Sequence, residues 1–319
     1  MSALIRICVF GLLLLLIPFA SAQQLEEQVK VELVQVDLVA TDSKGALVTD
    51  LTINDFILKE DGKVQTITHF YNSVDDESRF PLTVSFLVDT SFSMQERVAG
   101  LTRIDIALKA ADLVMTQLQE NDQIEVIEFN NKPDAIVPFT SDLKSAREKL
   151  ATLTFQEANT AMHDSVKFAV ERMKGRSGRK IIVIFSDGMD SASKSIEEEV
   201  VDSIRRADAT IITFYSEFAR VNLPAQMGGG PGSMGRIRIR AGEDALRLYS
   251  DMTGGQFFSF KKEPELMKAM EGFRAYIKNQ YTLAYKPALA KKKPGFRKIK
   301  VECKRKGIRL KHREGYWAG

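Results

Sequence analysis

The chain has 319 residues, of which 44% are hydrophobic and 27% are charged, with a formal net charge of +3. These values exclude a fibrous or intrinsically disordered chain and leave room for one large domain and a smaller one. Such a small net charge favours no class of partner by itself.

Residues 1–22 have the pattern of a secretory signal peptide. Arg6 is their only charged side chain, residues 9–17 form a short apolar run, and Ala20-Ser21-Ala22 has the small-x-small form of a cleavage site. An uncleaved anchor is the weaker alternative, because the run is shorter than the roughly 20 residues that span a bilayer. We expect cleavage after Ala22, a periplasmic or secreted product, and no stable membrane insertion.

The two cysteines are Cys8 and Cys303. Since Cys8 lies in the predicted signal, the mature chain is expected to have no intrachain disulfide. Cys303 alternates with charged residues, which favours a small strand residue over a reactive thiol.

Residues 23–76 are predicted to form a small β unit. Near alternation of apolar residues over 29–48, interrupted by a polar turn that ends at Gly45, predicts a β-hairpin. Residues 57–67 predict a second hairpin with Asp61-Gly62 at its tip. This unit is too small to bury a good core alone, so it needs further strands.

The missing strands are expected in residues 280–319. Alternation over residues 280–286 and 296–303 predicts two strands, and residues 308–317 predict a last strand with a tail. We hypothesise that the two terminal segments pair into one small β-sandwich, with residues 77–279 inserted between them.

Residues 77–279 alternate between strand and helix patterns, which predicts an α/β fold with a doubly wound, mostly parallel sheet. The apolar runs 82–88 and 181–185 suit central strands that are buried on both faces. The other predicted elements are helices over 103–119, 142–150, 160–173, 195–206, 243–252 and 264–278, and strands over 123–129, 134–139, 210–215 and 256–260.

Oxygen-bearing side chains follow the first central strand. Asp89, Ser91 and Ser93 offer one carboxylate and two hydroxyls where a parallel strand ends, which is where α/β sheets place their ligand sites. These ligands suit a hard cation such as Mg²⁺. On this motif alone, a solvated turn in which Asp89 caps a helix stays an equal alternative.

The motif D-x-S-x-S after an apolar strand resembles the metal-ion-dependent adhesion site of von Willebrand factor type A (VWA) domains. The family pattern continues with a Thr where a loop enters a helix, which matches Thr160, and an Asp in S/T-D-G, which matches Asp187. The resemblance covers roughly residues 81–278 and implies a VWA/Rossmann-like fold. The implied metal ligands are Asp89, Ser91, Ser93, Thr160 and Asp187.

Mg²⁺ is the expected cation, with Mn²⁺ or Ca²⁺ as alternatives, because it takes oxygen ligands in octahedral geometry and retains waters. In this hypothesis the three hydroxyls bind directly, and Asp89 and Asp187 bind directly or hold metal-bound waters. The family resemblance implies that a partner protein then supplies an Asp or Glu side chain as the sixth ligand.

The flanking segments also resemble those of a bacterial family of secreted VWA-related proteins. The matching stretches are residues 36–63, with L-T-x-x-D-F-x-L-x-E-D-G-K, and residues 297–317, with R-K-I-K-V and R-E-G-Y-W. This extends the resemblance to nearly the whole mature chain.

Catalytic alternatives find little support in the sequence. His163 could accompany Ser91 or Ser93, but neither serine lies in a nucleophile elbow, and a single helical His more often packs. Asp164 is expected to be a structural residue of the first helical turn. Neither an aspartyl-phosphatase motif nor a P-loop is present. We therefore predict no catalytic residue.

Two basic stretches allow alternatives. Residues 221–241 are predicted to be a Gly-rich loop, either a disordered connector or a basic lip carrying Arg236, Arg238 and Arg240 beside the metal. Residues 291–313 could suggest nucleic acid, but their cations alternate with apolar residues, which favours a solvated sheet face. No nucleic-acid partner is expected.

The sequence thus predicts an exported, metal-dependent protein-binding module that is not an enzyme. The alternatives are a metal-assisted hydrolase and a structural subunit whose metal only stabilises the fold.

Overall fold

The computed structural model describes residues 33–73, 81–98, 100–216, 234–287 and 294–318. The predicted signal peptide lies outside the described residues, as do residues 217–233, which include residues 221–233 of the predicted Gly-rich loop. Residues 33–319 belong to one compact unit, so the domain boundaries placed after residues 76 and 279 stay predictions.

The secondary structure begins and ends with strands. The strands are β1 (Val34–Thr41), β2 (Phe56–Glu60), β3 (Lys63–Gln65), β4 (Ile67–Asn72), β5 (Leu82–Asp89), β6 (Arg97–Val98), β7 (Leu101–Thr102), β8 (Gln123–Phe129), β9 (Pro133–Thr140), β10 (Arg179–Ser186), β11 (Thr210–Ser216), β12 (Phe257–Phe260), β13 (Tyr281–Tyr285), β14 (Gly295–Cys303), β15 (Arg309–His312) and β16 (Gly315–Ala318). The helices are α1 (Arg103–Met115), α2 (Leu143–Leu150), α3 (Met162–Met173), α4 (Glu197–Arg206), α5 (Met234–Met252) and α6 (Glu263–Lys278).

The central sheet has six strands in the order β12-β11-β10-β5-β8-β9. All neighbours are parallel except β9, which closes one edge as an antiparallel hairpin partner of β8. The chain runs from β5 to β8 on one side and returns to β10 on the other, so the strand order reverses between β5 and β10. This is the place where doubly wound sheets form their ligand crevice.

Helices cover both faces of the sheet, as its two-sided apolar strands require. Val84, Phe86 and Val88 of β5 pack with α1, α2 and α6 in one core, whereas Leu87 packs with α3, α4 and α5 in the other. The alternation along β5 thus assigns successive side chains to opposite layers. The predicted doubly wound, mostly parallel α/β fold is confirmed.

The terminal strands form two four-stranded antiparallel sheets, in the orders β15-β1-β13-β4 and β16-β14-β2-β3. One apolar core joins the two sheets, with Val36 and Leu283 from one and Leu58 and Val301 from the other. N-terminal β1 pairs with C-terminal β13, and β2 pairs with β14. The predicted sandwich of the two terminal segments is therefore part of the observed fold.

The structure differs from the sequence prediction at the C-terminus. Residues 308–317 were expected to form one strand, but β15 pairs with β1 of one sheet and β16 pairs with β14 of the other. The chain crosses between the two sheets at Arg313 and Glu314. Alternation in the sequence cannot show such a change of sheet.

Two further predictions were wrong in their bounds. The return arm of the first hairpin is a single bridge between Thr41 and Leu47. Helix α5 starts at Met234 rather than at Glu243, so Arg236, Arg238 and Arg240 lie in a helix and not in a loop. Arg and Ile are adequate helix formers, so the glycines of this segment do not prevent a helix from Met234 onward.

No helix among the described residues combines the length and the apolar character that crossing a bilayer requires.

Candidate metal site

The site begins where β5 and β10 end side by side. Asp89 is the last residue of β5 and is fully buried, and Ser186 is the last residue of β10. Val88 pairs with Phe185, so Asp89 and Ser186 come next in register, and the Ser186 hydroxyl donates to Asp89 Oδ2 at 2.7 Å. The apolar strands thus place the carboxylate of Asp89 at the switch point of the sheet.

The turn after β5 places the two serines of the motif together. The backbone N–H of Ser91 donates to Asp89 Oδ1 at 2.9 Å, and one turn of 3-10 helix follows over Phe92–Gln95. The hydroxyl oxygens of Ser91 and Ser93 lie 3.2 Å apart. Ser91 is buried and Ser93 is half-buried, so the accessible side of the turn is at Ser93.

The loop that carries Thr160 is hydrogen-bonded to this turn. Gln156 N–H donates to the carbonyl of Thr90 at 2.7 Å, and Phe92 N–H donates to the carbonyl of Ala158 at 3.1 Å. Thr160 itself is buried. It does not open the helix as predicted, because the N-cap of α3 is Ala161.

A third loop, residues 187–196, is hydrogen-bonded to Thr160. The carbonyl of Thr160 accepts from Ser191 N–H at 2.8 Å and from Ala192 N–H at 2.9 Å, and its N–H donates to the Ser191 hydroxyl at 3.2 Å. Asp187 begins this loop and is fully buried. The three loops therefore form one connected unit around the end of β5, and the five predicted ligand residues all belong to it.

The backbone of the third loop is tightly packed. Gly188 has φ +75°, a conformation that favours glycine, and a Cβ at Gly242 of α5 would lie only 1.8 Å from the Gly188 carbonyl oxygen. Helix α5 therefore packs directly against the turn that follows Asp187.

A residue that the sequence did not identify, Arg103, contacts the predicted ligand Asp187. Arg103 Nη1 donates to Asp187 Oδ2 at 3.1 Å, and Nη2 lies 2.6 Å from Glu96 Oε2. Asp187 Oδ1 accepts the backbone N–H of Met189 at 3.1 Å. A buried guanidinium therefore balances part of the acidic charge in the site.

The environment disfavours the charge of Asp89. Burial, followed by the nearby Asp187 carboxylate, raises the pKa of Asp89 to about 7, although hydrogen bonds from Ser91 and Ser186 act in the opposite direction. A cation bound beside Asp89 would offset this penalty, as metal binding to a deprotonated ligand generally does.

The predicted ligands fit a hard divalent cation. They offer three hydroxyl and four carboxylate oxygens and no nitrogen or sulfur, a set that suits Mg²⁺, Mn²⁺ or Ca²⁺. Within the part of the chain that the structure describes, no cluster of three or more His, Cys, Asp or Glu side chains could hold a metal without the hydroxyls. Any cation here would therefore depend on Ser91, Ser93 and Thr160.

His163 and Asp164 have structural partners. His163 Nδ1 lies 2.8 Å from the Tyr249 hydroxyl, and the two rings meet edge to face. The Asp164 carboxylate accepts the backbone N–H groups of Lys194 and Ser195, both at 2.9 Å. Both residues thus connect α3 to the rest of the fold, as expected for packing residues.

Comparison with known proteins identifies the domain. Residues 84–189 match the family model of the von Willebrand factor type A domain. The chain therefore contains a VWA domain, and the predicted resemblance to this family is confirmed for these residues. VWA domains are common protein-interaction and adhesion modules.

The individual relatives are distant. A UPF0353 protein of Nocardia farcinica is 22% identical over 215 residues, which cover 61% of this chain and 62% of that protein. The crystal structure of the hypothetical protein BatB from Bacteroides thetaiotaomicron is 14% identical with a TM-score of 0.46, covering 62% of this chain and 100% of that one. The PilB minor pilin of Streptococcus sanguinis is also 14% identical with a TM-score of 0.46, covering 64% of this chain and 62% of that one.

Proposed function

We propose that this chain is an exported, metal-dependent protein-binding module that captures an acidic side chain of a partner protein. The observation that carries this proposal is the pair of fully buried carboxylates, Asp89 and Asp187, at the switch point of the sheet. Burying carboxylates is costly unless cations or hydrogen bonds compensate them. A fold that keeps two of them together, beside several hydroxyls, is typical of a cation site.

The residues that would hold the cation are Asp89, Ser91, Ser93, Thr160 and Asp187. When bound, Mg²⁺ would supply a Lewis-acidic position that accepts an anionic oxygen. Ser186 and Ser91 N–H each hold one oxygen of Asp89, which fixes the orientation of the carboxylate before any ligand arrives. Half-buried Ser93 lies on the side from which a partner carboxylate would approach.

Exposed aromatic side chains beside the site support a protein partner. Phe92, between the two serines, is 52% exposed, and Phe155, next to the Gln156 contact with the turn, is 37% exposed. Large exposed apolar side chains at a polar site are typical of protein interfaces. An Asp or Glu on a partner segment could contact them while its carboxylate binds the cation.

The export in this proposal is supported by the signal-peptide pattern of residues 1–22. A hydrolase that uses His163 as a base for Ser91 or Ser93 is not supported, because His163 is hydrogen-bonded to Tyr249.

The second candidate is a metal that only stabilises the fold. Burial of Thr160, Asp89 and Asp187 favours it, since buried ligands leave little surface for a partner. The two candidates differ in one outcome, namely whether loss of the cation abolishes partner binding or only lowers the melting temperature.

Isothermal titration with MgCl₂ tests the cation, and capture from an envelope fraction with Mg²⁺ or with chelator tests the partner. Asp89→Ala should abolish both, whereas the matched variant Asp208→Ala, at the opposite end of the sheet, should change neither. Mg²⁺ binding with chelator-insensitive capture would favour the stabilising metal. Absence of Mg²⁺, Mn²⁺ and Ca²⁺ binding to the wild-type chain would refute the proposal.

A further inference from the structure

The buried guanidinium of Arg103 is not explained by the proposed function. Its side chain is 0% exposed, and its two terminal nitrogens contact Asp187 at 3.1 Å and Glu96 at 2.6 Å. Arg side chains are rarely buried to this extent, and they need acidic partners when they are. Packing alone therefore does not explain why an arginine is buried at this position.

Helix formation does not supply that reason. Arg103 is the first residue of α1, directly after the N-cap Thr102, and the helix dipole disfavours a cation at this end. The side chains of Thr102 and Asp105 already accept hydrogen bonds from backbone N–H groups at the start of the helix, in a capping box. An uncharged residue would suit the helix better, so the charge of Arg103 must serve its acidic neighbours.

The segment before α1 fixes Arg103 in place. Its backbone N–H donates to the carbonyl of Glu96 at 2.9 Å, and the short pair of β6 and β7 lies between these two residues. Arg103 thus lies at the end of a loop that begins at Glu96, three residues after Ser93, and that this hydrogen bond closes. This geometry directs the guanidinium to Asp187.

The acidic groups at the site outnumber the basic groups among the side chains that the structure describes there. Arg103 contacts the carboxylates of Asp187 and Glu96, and the predicted ligand Asp89 adds a third carboxylate to the site, so three carboxylates stand against one guanidinium. A divalent cation supplies the charge that is missing. Arg103 therefore supplies a fixed part of the positive charge, and a bound cation would supply the remainder.

We propose that Arg103 is a positioning residue that acts as the built-in counter-ion of the metal site. It holds Asp187 through Oδ2, which keeps the loop in place without a bound cation, and its positive charge limits the affinity for the cation. The inference rests on the proposed metal site. Its consequence is a site that stays folded when empty and binds its cation reversibly.

The test compares the full chain with Arg103→Gln. Without metal, the melting temperature of the variant should fall by about 10 °C, because the carboxylates lose their counter-ion. Titration calorimetry should show that Mg²⁺ binds about tenfold more tightly, because a neighbouring positive charge is gone. The rise in melting temperature at saturating Mg²⁺ should accordingly exceed that of the wild type.

Arg179→Gln is the matched control. Arg179 is also buried and faces Asp37, but it begins β10, roughly 25 Å from the end that leads to Asp187. This variant should lose stability without any change in Mg²⁺ affinity. If Arg103→Gln behaves like Arg179→Gln, Arg103 is only structural and the inference is wrong.

A second variant covers the case in which Arg103→Gln does not fold. Glu96 is 32% exposed, so Glu96→Gln should fold, and removal of its negative charge should weaken Mg²⁺ binding about threefold. Unchanged or tighter binding would overturn the inference alone. If the wild-type chain binds no cation, the proposed function fails and the inference fails with it.

Discussion

The two ends of the central sheet are both rich in charge, but the charges are arranged differently. At the carboxyl end, the Arg103 guanidinium pairs with the carboxylates of Asp187 and Glu96, and the buried carboxylate of Asp89 lies at the same end. At the amino end, Arg179 pairs with Asp37 of β1, and both Lys180 and Arg313 pair with Asp208. The pairs at the carboxyl end have an excess of acid, whereas those at the amino end combine three bases with two acids.

The surroundings of the two clusters differ as well. Asp37 and Arg313 belong to the terminal strands or adjoin them, so the amino-end pairs join the sandwich to the sheet. The acids at the carboxyl end lie beside uncharged hydroxyl groups rather than beside a matching number of basic groups. Ion pairs in which acids and bases are nearly matched hold parts of the fold together, whereas acidic groups in excess beside hydroxyls are available to a ligand.

The largest expected effect concerns how tightly the carboxyl end is packed. In Gly242→Ala the new Cβ would lie 1.8 Å from the Gly188 carbonyl oxygen, so backbone must move and the free energy of unfolding should fall by about 3 kcal/mol. Gly272→Ala in α6 meets only the ring edge of Phe258, at 2.9 Å, and should stay within about 1 kcal/mol of wild type. If urea unfolding shows that both variants lose the same free energy of unfolding, this difference in packing is refuted.

The next effect concerns pH. Burial and Asp187 raise the pKa of Asp89 to about 7, against 3.8 for an ordinary Asp. Between these values the folded chain binds a proton that the unfolded chain has lost. The free energy of unfolding of the metal-free protein should therefore fall, on the order of 2 kcal/mol, as pH rises from about 4 to 7.

Denaturant unfolding in chelator at several pH values measures this slope, and Asp89→Asn should flatten it. At the amino end of the sheet, the free energy of unfolding should change with pH in the opposite direction. Although the Asp208 side chain is largely exposed, partial desolvation by the surrounding chain acts to raise its pKa, but Arg313 and Lys180 outweigh this effect and the pKa is lowered. Its contribution is present above the ordinary Asp pKa and is lost as pH falls through the folded value. A slope that persists in Asp89→Asn would assign it to another group.

A smaller effect distinguishes two serines at the ends of neighbouring strands. Ser186→Ala removes the donor to Asp89 and the acceptor of Gly188 N–H, and it should cost about 1–2 kcal/mol. The Ser216 hydroxyl is also buried, and it has no hydrogen-bond partner among the residues that the structure describes. Ser216→Ala should therefore be neutral or slightly stabilising, and comparable losses in thermal unfolding would refute the distinction.

The smallest effect is expected at the amino end. The Asp208 side chain is 67% exposed, so water and salt screen its pairs with Lys180 and Arg313. Asp208→Asn should cost less than about 1 kcal/mol, and this loss should shrink in high salt. A loss as large as that of Gly242→Ala would show that the amino-end cluster carries more of the fold than its exposure suggests.

Local signals in the sequence predicted much of the fold. The apolar runs of β5 and β10 required burial on both faces, the helix predicted over 142–150 is α2 with Asp142 as its N-cap, and Asp61-Gly62 predicted the tip of the second hairpin. Each of these features depends on residues that are close in sequence. The predicted ligand residues likewise rest on local signals, because each follows a recognisable strand or loop.

What the sequence did not reveal depends on distant contacts. Arg103 contacts Asp187 across 84 positions, and its place at a helix start gives no sign of that partner. The change of sheet between β15 and β16 depends on β1 and β14, which lie far away in the chain. The start of α5 lies in a Gly-rich context where local propensity favoured a loop.

The pairing of β1 with β13 also constrains the order in which the protein can fold. Val34 lies opposite Tyr285, so β1 lacks its central neighbour until more than three quarters of the chain has been synthesised. The central sheet, whose strands all lie between these two, can form earlier, whereas the sandwich has to wait. Until then the apolar side of β1 stays open to wrong partners, and a chaperone that covers this first strand would protect the chain during its synthesis.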